Sequence, residues 1–247
     1  MIAVGFSQAL AILSKDLWIE GTSWVRWMGL VSFAILVLIL FSFAVGPNST
    51  MLQSHAAGYL WLATLFASAN LFTQSFLLET EGGAIEQLQL APVFPAALFY
   101  GKALANTIQL LLVMMVMLPP LIALCDVWFV EGFGLFVITM VLGAFGLSAP
   151  GAMYAAMTAR LSNQQLLLPL LLFPLIVPAL LSAVKATALI FFGDPMGQIV
   201  SWLTLLGAFD VIYWIDSNKS LKNSYLFKKK ILDLKSLKKI KFDKIIF

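Results

Sequence analysis

Long stretches without a single charged residue recur along this 247-residue chain. About 20 consecutive apolar residues are enough for a helix to cross the hydrocarbon core of a bilayer. Because lipid offers no hydrogen-bond partners to the backbone, stretches of this length are predicted to be helical. Charged residues make up only 11% of the chain, against about 25% in soluble domains. The sequence therefore predicts an all-α polytopic membrane protein.

Six charge-free stretches predict six transmembrane helices. The sixth is the least apolar, because Asp210 lies inside it and marks a minor candidate for a functional residue. The predicted spans are residues 27–45, 56–78, 103–125, 132–159, 161–184 and about 195–215.

The distribution of basic residues predicts the orientation. Cytoplasmic loops of membrane proteins carry an excess of Lys and Arg. With the N-terminus in the cytoplasm, Lys185 is the one basic residue on the outer side. The inner side then holds Lys15, Arg26, Lys102, Arg160 and all ten lysines of the C-terminal tail. Both termini are therefore predicted to be cytoplasmic.

The first residues of the chain have an apolar stripe at helical spacing, formed by Phe6, Leu10, Leu13 and Leu17. This pattern favours an N-terminal interfacial helix that lies along the cytoplasmic membrane surface and turns into the first span near Arg26. An ordinary membrane-proximal helix is the alternative.

Charge divides the chain into two parts, a six-span membrane domain at residues 1–218 and a Lys-rich tail at residues 219–247. The first part has five Lys or Arg against ten Asp or Glu, and the tail has ten Lys against two Asp. The basic character of the chain thus comes from the tail, and the membrane domain does not favour nucleic-acid binding. The tail is predicted to be a disordered extension or a basic amphipathic helix that adheres to anionic lipid.

Several classes of chemistry are disfavoured by composition. With one histidine and one cysteine, the chain cannot build a multi-histidine or Cys-x-x-Cys metal site. No catalytic constellation lies within the spans. A phosphate-binding loop requires Gly-Lys-Ser/Thr, whereas Gly101-Lys102 is followed by Ala103. We therefore expect neither an enzyme nor a nucleotide-binding subunit.

The segment between the second and third spans, residues 79–92, has a pattern of its own. A glycine pair, Gly82-Gly83, ends the second span, and Pro92 stops a short predicted helix at residues 84–90. Ile85 and Leu88 share one face of that helix, and the acidic side chains Glu81 and Glu86 suit its N-terminal turn. This pattern is typical of a helix that docks into a groove on another protein. A plain connecting loop is the alternative.

The 79–92 segment resembles the coupling-helix loop of six-span ABC exporter permeases, with its acidic–Gly–Ile/Leu–Glu–Gln–Leu–Pro order. Three further places narrow the resemblance: Phe-Ala-Val-Gly-Pro at 43–47, Tyr-Leu-Trp-Leu-Ala at 59–63, and Ala-Pro-Gly at 149–151 followed by a proline-spaced span. Together, over residues 5–215, these motifs resemble the cytochrome c maturation protein B family, the haem exporter permease subunits.

This resemblance implies an ABC-2-type permease architecture and a separate cytoplasmic ABC ATPase, with haem as the transported or handled ligand and no tightly bound cofactor. It also implies other cytochrome c maturation membrane proteins as partners and a dimer of permease chains or a heteromeric pair. The ATPase-coupling residues would be Glu79, Glu81, Gly82, Gly83, Ile85, Glu86, Gln87 and Leu88. The Thr-Gln-Ser run at 73–75 departs from the family, which usually carries Arg and acidic residues there.

Two other features have both a functional and a structural interpretation. Pro169, Pro174 and Pro178 would kink the fifth span, either as a mobile wall of a cavity between subunits or as a static aid to packing. His55, with Met51 nearby on the outer loop, is a weak candidate for a haem ligand, and a solvated histidine is the favoured interpretation.

The predicted function is therefore the permease subunit of a haem exporter for c-type cytochrome biogenesis. The alternatives are an ABC-2-type permease for a lipid-linked sugar or drug and a non-transporting membrane scaffold. The predicted location is the bacterial inner membrane, with the mitochondrial inner membrane as the alternative.

Overall fold

The computed structural model describes residues 2–46, 48–81, 95–159, 161 and 163–216. All regular secondary structure in these ranges is helical. The helices are α1 (Ile2–Thr22), α2 (Trp24–Val45), α3 (Ser49–Glu81), α4 (Pro95–Cys125), α5 (Phe133–Thr158), α6 (Gln164–Phe192) and α7 (Ile199–Asp216). The predicted short helix at 84–90 and the Lys-rich tail lie outside the described residues.

Five of the described helices, α2 and α4 to α7, are long and apolar enough to cross a membrane. The second predicted span, residues 56–78, lies within α3, which is not one of the five. The polar side chains of Thr64 and Ser68 lower the apolar character of α3, and both are fully buried among its neighbours. Small and hydroxyl-bearing residues are common where a membrane helix faces other helices rather than lipid, which explains this composition.

Helix α3 packs against α2, α4, α5 and α6, which places it at the centre of the bundle. The Trp61 ring rests on Gly143 of α5, and its indole N–H donates to the Thr187 hydroxyl of α6 at 2.9 Å. About two turns of α5 farther along, the Phe72 ring rests on Gly151 in the same manner. Small residues let helices approach closely in membranes, and these two glycines bring α5 against α3.

Two predicted helix ends that were drawn at lysines lie elsewhere in the structure. Helix α4 begins at Pro95 rather than at residue 103, and it includes Lys102, whose charge is paired. Helix α6 continues to Phe192 rather than ending at residue 184, and its Lys185 is exposed. A long lysine side chain can extend to a polar surface without ending a helix. Charge was therefore a poor marker of these ends.

The end of the bundle opposite the α3–α4 connection is closed by aromatic packing and backbone hydrogen bonds. Phe129 contacts Phe136 of α5 and Phe191 of α6, with ring centroids 4.8 and 5.6 Å apart. The backbone N–H groups of Val130 and Glu131 donate to the carbonyl of Ile190. These contacts hold the α4–α5 connection against the end of α6.

Candidate functional site

The predicted ATPase-coupling residues fall at the end of α3 and beyond it. Glu79 and Glu81 lie in the last turn of α3. Gly82, Gly83, Ile85, Glu86, Gln87 and Leu88 lie outside the described residues. The structure thus describes what flanks the segment, namely the end of α3 and the beginning of α4 at Pro95.

A buried lysine joins these two flanks to α1. The Lys102 ammonium of α4 lies 3.1 Å from the Asp16 carboxylate of α1 and donates to the Ser75 carbonyl of α3 at 3.2 Å. The Lys102 side chain is 2% exposed and that of Asp16 is 12% exposed. We call these three groups the Lys102 anchor. Removing one partner of a buried ion pair is strongly destabilising, so the anchor fixes α1 against both helices.

Close backbone contact reinforces this arrangement. A Cβ built on Gly101 would lie 2.8 Å from the Ala9 carbonyl oxygen and 2.9 Å from the Ile12 Cβ. Only glycine allows such an approach without displacement of α1. Sequence reasoning used Lys102 to assign the topology and, with Gly101, to exclude a phosphate-binding loop, and it missed both this contact and the ion pair. The available signal was a lysine next to a long apolar run, with an unassigned aspartate on the amphipathic helix.

The turn between α1 and α2 occurs where it was predicted, beside Arg26. Ser23 separates the two helices. The Arg26 guanidinium donates to the Ser23 hydroxyl at 2.8 Å and to the Ile19 carbonyl at 3.2 Å, and it lies 3.6 Å from the Glu20 carboxylate. Burial raises the pKa of Glu20 above its ordinary 4.5, although Arg26 opposes the shift. These contacts fix the angle at which α1 meets α2.

The apolar stripe of α1 is partly exposed, as expected of a helix that contacts lipid. Phe6 and Leu10 are exposed, while Leu13 and Leu17 are half-buried. Helix α1 packs mainly on α4 and only lightly on α2. The predicted interfacial position of α1 stays a prediction.

An aromatic cluster lies near the Lys102 anchor and ties α4 and α5 to α7. The Trp214 ring stacks on Tyr100 with centroids 5.9 Å apart, and it also contacts Phe99 and Phe145. The Trp214 indole N–H donates to the Phe145 carbonyl at 3.2 Å. Together with the anchor, this cluster links α1, α3, α4, α5 and α7 near the beginning of α4.

The three prolines of the fifth predicted span all lie within α6, which remains a single helix. Pro169 is half-buried, and Pro174 and Pro178 are exposed on the face away from the chain's own core. The Ser182 hydroxyl donates to the Pro178 carbonyl at 2.8 Å. The exposed face is open to lipid or to another subunit, and the predicted role in a cavity wall stays a prediction.

His55 lies in the second turn of α3 rather than on a loop, because α3 begins at Ser49. Its side chain is exposed, and its ring centroid lies 6.1 Å from that of Tyr59. Met51 is exposed one helical turn before it, on the same face. Haem ligation at His55 stays a prediction.

Comparison with known proteins identifies the family. The family model described as CcmB protein matches residues 7–215. Heme exporter protein B of Pseudomonas aeruginosa is 36% identical over 179 residues, covering 72% of this chain and 79% of that protein. The Rhodobacter capsulatus protein of the same name is 34% identical over 171 residues, covering 69% and 78%. The Haemophilus influenzae protein is 30% identical over 201 residues, covering 81% and 88%. The resemblance found in the sequence is confirmed, and the chain belongs to the CcmB protein family.

Proposed function

We propose that this chain is the membrane permease subunit of an ABC-type haem exporter that serves c-type cytochrome biogenesis. ATP is hydrolysed by a separate cytoplasmic ATPase, and haem is the transported or handled ligand. Membership of the CcmB protein family and the names of the relatives, heme exporter proteins of bacteria, support this function. The membrane is then a bacterial inner membrane.

The proposed architecture has six membrane spans of the ABC-2 type, with both termini in the cytoplasm. Helix α3 supplies the span missing from the five most apolar helices. Its 33 residues extend about 50 Å at about 1.5 Å per residue, well beyond a hydrocarbon core of about 30 Å. The even number of spans returns the chain to the side on which it began.

In this architecture the 79–92 segment receives the motion of the ATPase. Ile85 and Leu88 enter a groove on the ATPase, and Glu81 and Glu86 orient the short helix. The observation that supports this role is the Lys102 anchor, which contacts α3 at Ser75, shortly before the segment begins. A displacement of the segment would move α1, α3 and α4 together, because the buried contacts of Lys102 with Asp16 and Ser75 hold these helices to one another and are costly to break. Exposed Pro174 and Pro178 suit a contact with a second permease chain or a different membrane subunit.

Co-purification tests the coupling role. The chain is co-expressed with the ATPase of its own exporter and isolated in mild detergent. We expect Glu86→Lys and Leu88→Asp each to reduce the recovered ATPase at least tenfold, because the first reverses a charge on the docking helix and the second places a carboxylate in its apolar contact. Ser54→Lys, at the exposed opposite end of α3, is the control and should retain the ATPase. Undiminished recovery with both loop variants would refute the coupling assignment.

Complementation tests the substrate. A bacterial strain that lacks its own cytochrome permease is supplied with this chain and its ATPase, and covalently bound c-type haem is measured. Restoration by the native chain, and its loss with a hydrolysis-deficient ATPase, is expected. Assembly that persists with the inactive ATPase would favour a passive scaffold. No restoration despite normal insertion and ATPase binding would favour a permease for a different substrate.

A further inference from the structure

Asp210 is a buried carboxylic acid in α7 that the function proposed above does not use. The residue is 7% exposed, and neither of its carboxyl oxygens has a hydrogen-bond partner among the described residues. An isolated carboxylate in an apolar environment is very costly, whereas a neutral acid needs only one acceptor for its O–H. The question is therefore whether the Asp210 carboxyl group is protonated in the folded protein.

The groups nearest to Asp210 on α5, α6 and α7 are uncharged. A Cβ built on Gly146 of α5 would lie 2.8 Å from the Asp210 Oδ1, 3.5 Å from the Ala179 Cβ of α6 and 3.6 Å from the Leu206 Cδ1. Within four positions of Gly146 and of Ala179, the sequences of α5 and α6 contain no titratable residue. On α7 the nearest such residue is Tyr213, whose ring packs on Phe209 at 4.2 Å. Helix α4 also reaches this end of α7, through Tyr100, and its basic residue Lys102 is paired with Asp16. No cation among these neighbours is therefore assigned to Asp210.

An acceptor for a proton donor is nevertheless present. Pro150 lies four residues after Gly146 within α5, and proline has no N–H to donate to the carbonyl one turn earlier. The Gly146 carbonyl thus lacks its helical donor, on the residue that faces Asp210. Side chains of α7 do reach this turn of α5, because the Trp214 indole donates to the adjacent Phe145 carbonyl at 3.2 Å.

We propose that Asp210 is a proton-binding site, in which the neutral carboxylic acid donates its O–H to the Gly146 carbonyl across the α5–α7 contact. The proton takes the place of the N–H that Pro150 lacks. Separation of α7 from α5 would break this hydrogen bond and admit water, so the acid would then release its proton. Protonation of Asp210 and closure of the α5–α7 contact are therefore linked.

Infrared spectroscopy of the purified full-length chain in lipid nanodiscs tests the site. A protonated carboxylic acid has a C=O stretching band that a carboxylate lacks. We expect such a band at neutral pH in the native chain and its disappearance in Asp210→Asn. The asparagine can donate an amide N–H to the same carbonyl, so this variant should fold. Asp216→Asn, at the exposed end of the same helix, is the matched control and should keep the band.

Pro150→Ala tests the acceptor. The new N–H at position 150 would occupy the Gly146 carbonyl, so the neutral acid would lose its hydrogen bond. We expect the Asp210 band to vanish at a lower pH than in the native chain, with the helical circular dichroism signal unchanged. A native chain without an Asp210-dependent band would overturn the proton site. A Pro150→Ala band that titrates like the native one would overturn the pairing with Gly146.

Discussion

The Lys102 anchor makes a quantitative prediction for Asp16→Ala. The substitution removes the carboxylate that lies 3.1 Å from the Lys102 ammonium, in a place where the lysine side chain is 2% exposed. Loss of one partner from a buried ion pair costs about 3–5 kcal/mol. The Lys102 bond to the Ser75 carbonyl remains, so we expect a loss near the lower end, about 3 kcal/mol. An exposed pair would contribute less than about 1 kcal/mol.

A double substitution separates the ion pair from other effects. In Asp16→Ala combined with Lys102→Met, both charges of the 3.1 Å pair are removed from the buried position, and methionine fills a similar volume. Apolar replacement of a whole buried pair is often neutral or stabilising, so the double variant should recover most of the stability lost by Asp16→Ala.

Denaturant unfolding of the chain in detergent micelles, followed by tryptophan fluorescence, measures these differences. Lys15→Ala is the control, because the exposed Lys15 also lies near Asp16, at 3.2 Å, but outside the buried contact. If Asp16→Ala lowered the free energy of unfolding by less than about 1 kcal/mol, the pair would contribute no more than a solvent-exposed ion pair. A double variant no more stable than the single one would likewise refute the buried ion pair as the cause.

Two further predictions concern packing and pH. Gly151→Ala would place a Cβ against the Phe72 ring, and overpacking of this kind lowers the free energy of unfolding by about 1–3 kcal/mol. Phe72→Leu in the same chain should restore part of that stability. Thermal unfolding measures both variants, and an unchanged stability of Gly151→Ala would contradict the contact. Burial raises the folded-state pKa of Glu20 above 4.5. The protonated Glu20 side chain therefore contributes to the free energy of unfolding below pH 4.5, and this contribution is lost as the pH rises through the folded-state pKa. Glu20→Gln should remove this slope from unfolding measured across the acidic range, and an unchanged slope would contradict the burial of its carboxyl group.

Hydropathy predicted the existence of most helices because apolar stretches of this length have one stable backbone conformation in lipid. It failed at ends that contain a lysine. Lys102 was taken as the boundary of the third span, yet α4 continues through it to Pro95. Its partner Asp16 is 86 residues away, and such a pairing depends on tertiary packing, which local patterns do not contain.

For the candidate site, sequence motifs predicted the family but misplaced one candidate residue. The pattern of residues 79–92, with the motifs near residues 45, 60 and 150, was sufficient to indicate the family, which the comparisons confirm. The position of His55 was misjudged, because Ser49–His55 lacks the continuous apolarity by which α3 was recognised, although these residues are helical. A solvent-facing first turn has no hydropathy signal.

The polar interior of α3 has a consequence for biogenesis. In the six-span arrangement proposed above, Thr64 and Ser68 would face acyl chains until the later helices are synthesised, although both are fully buried in the finished bundle. Insertion machinery accepts a segment according to its own apolarity, so we expect α3 to leave the translocation channel less readily than the five more apolar helices. We expect α3 to remain near the channel until α4 and α5 emerge and cover its polar side, which makes membrane insertion and folding a single event for this part of the chain.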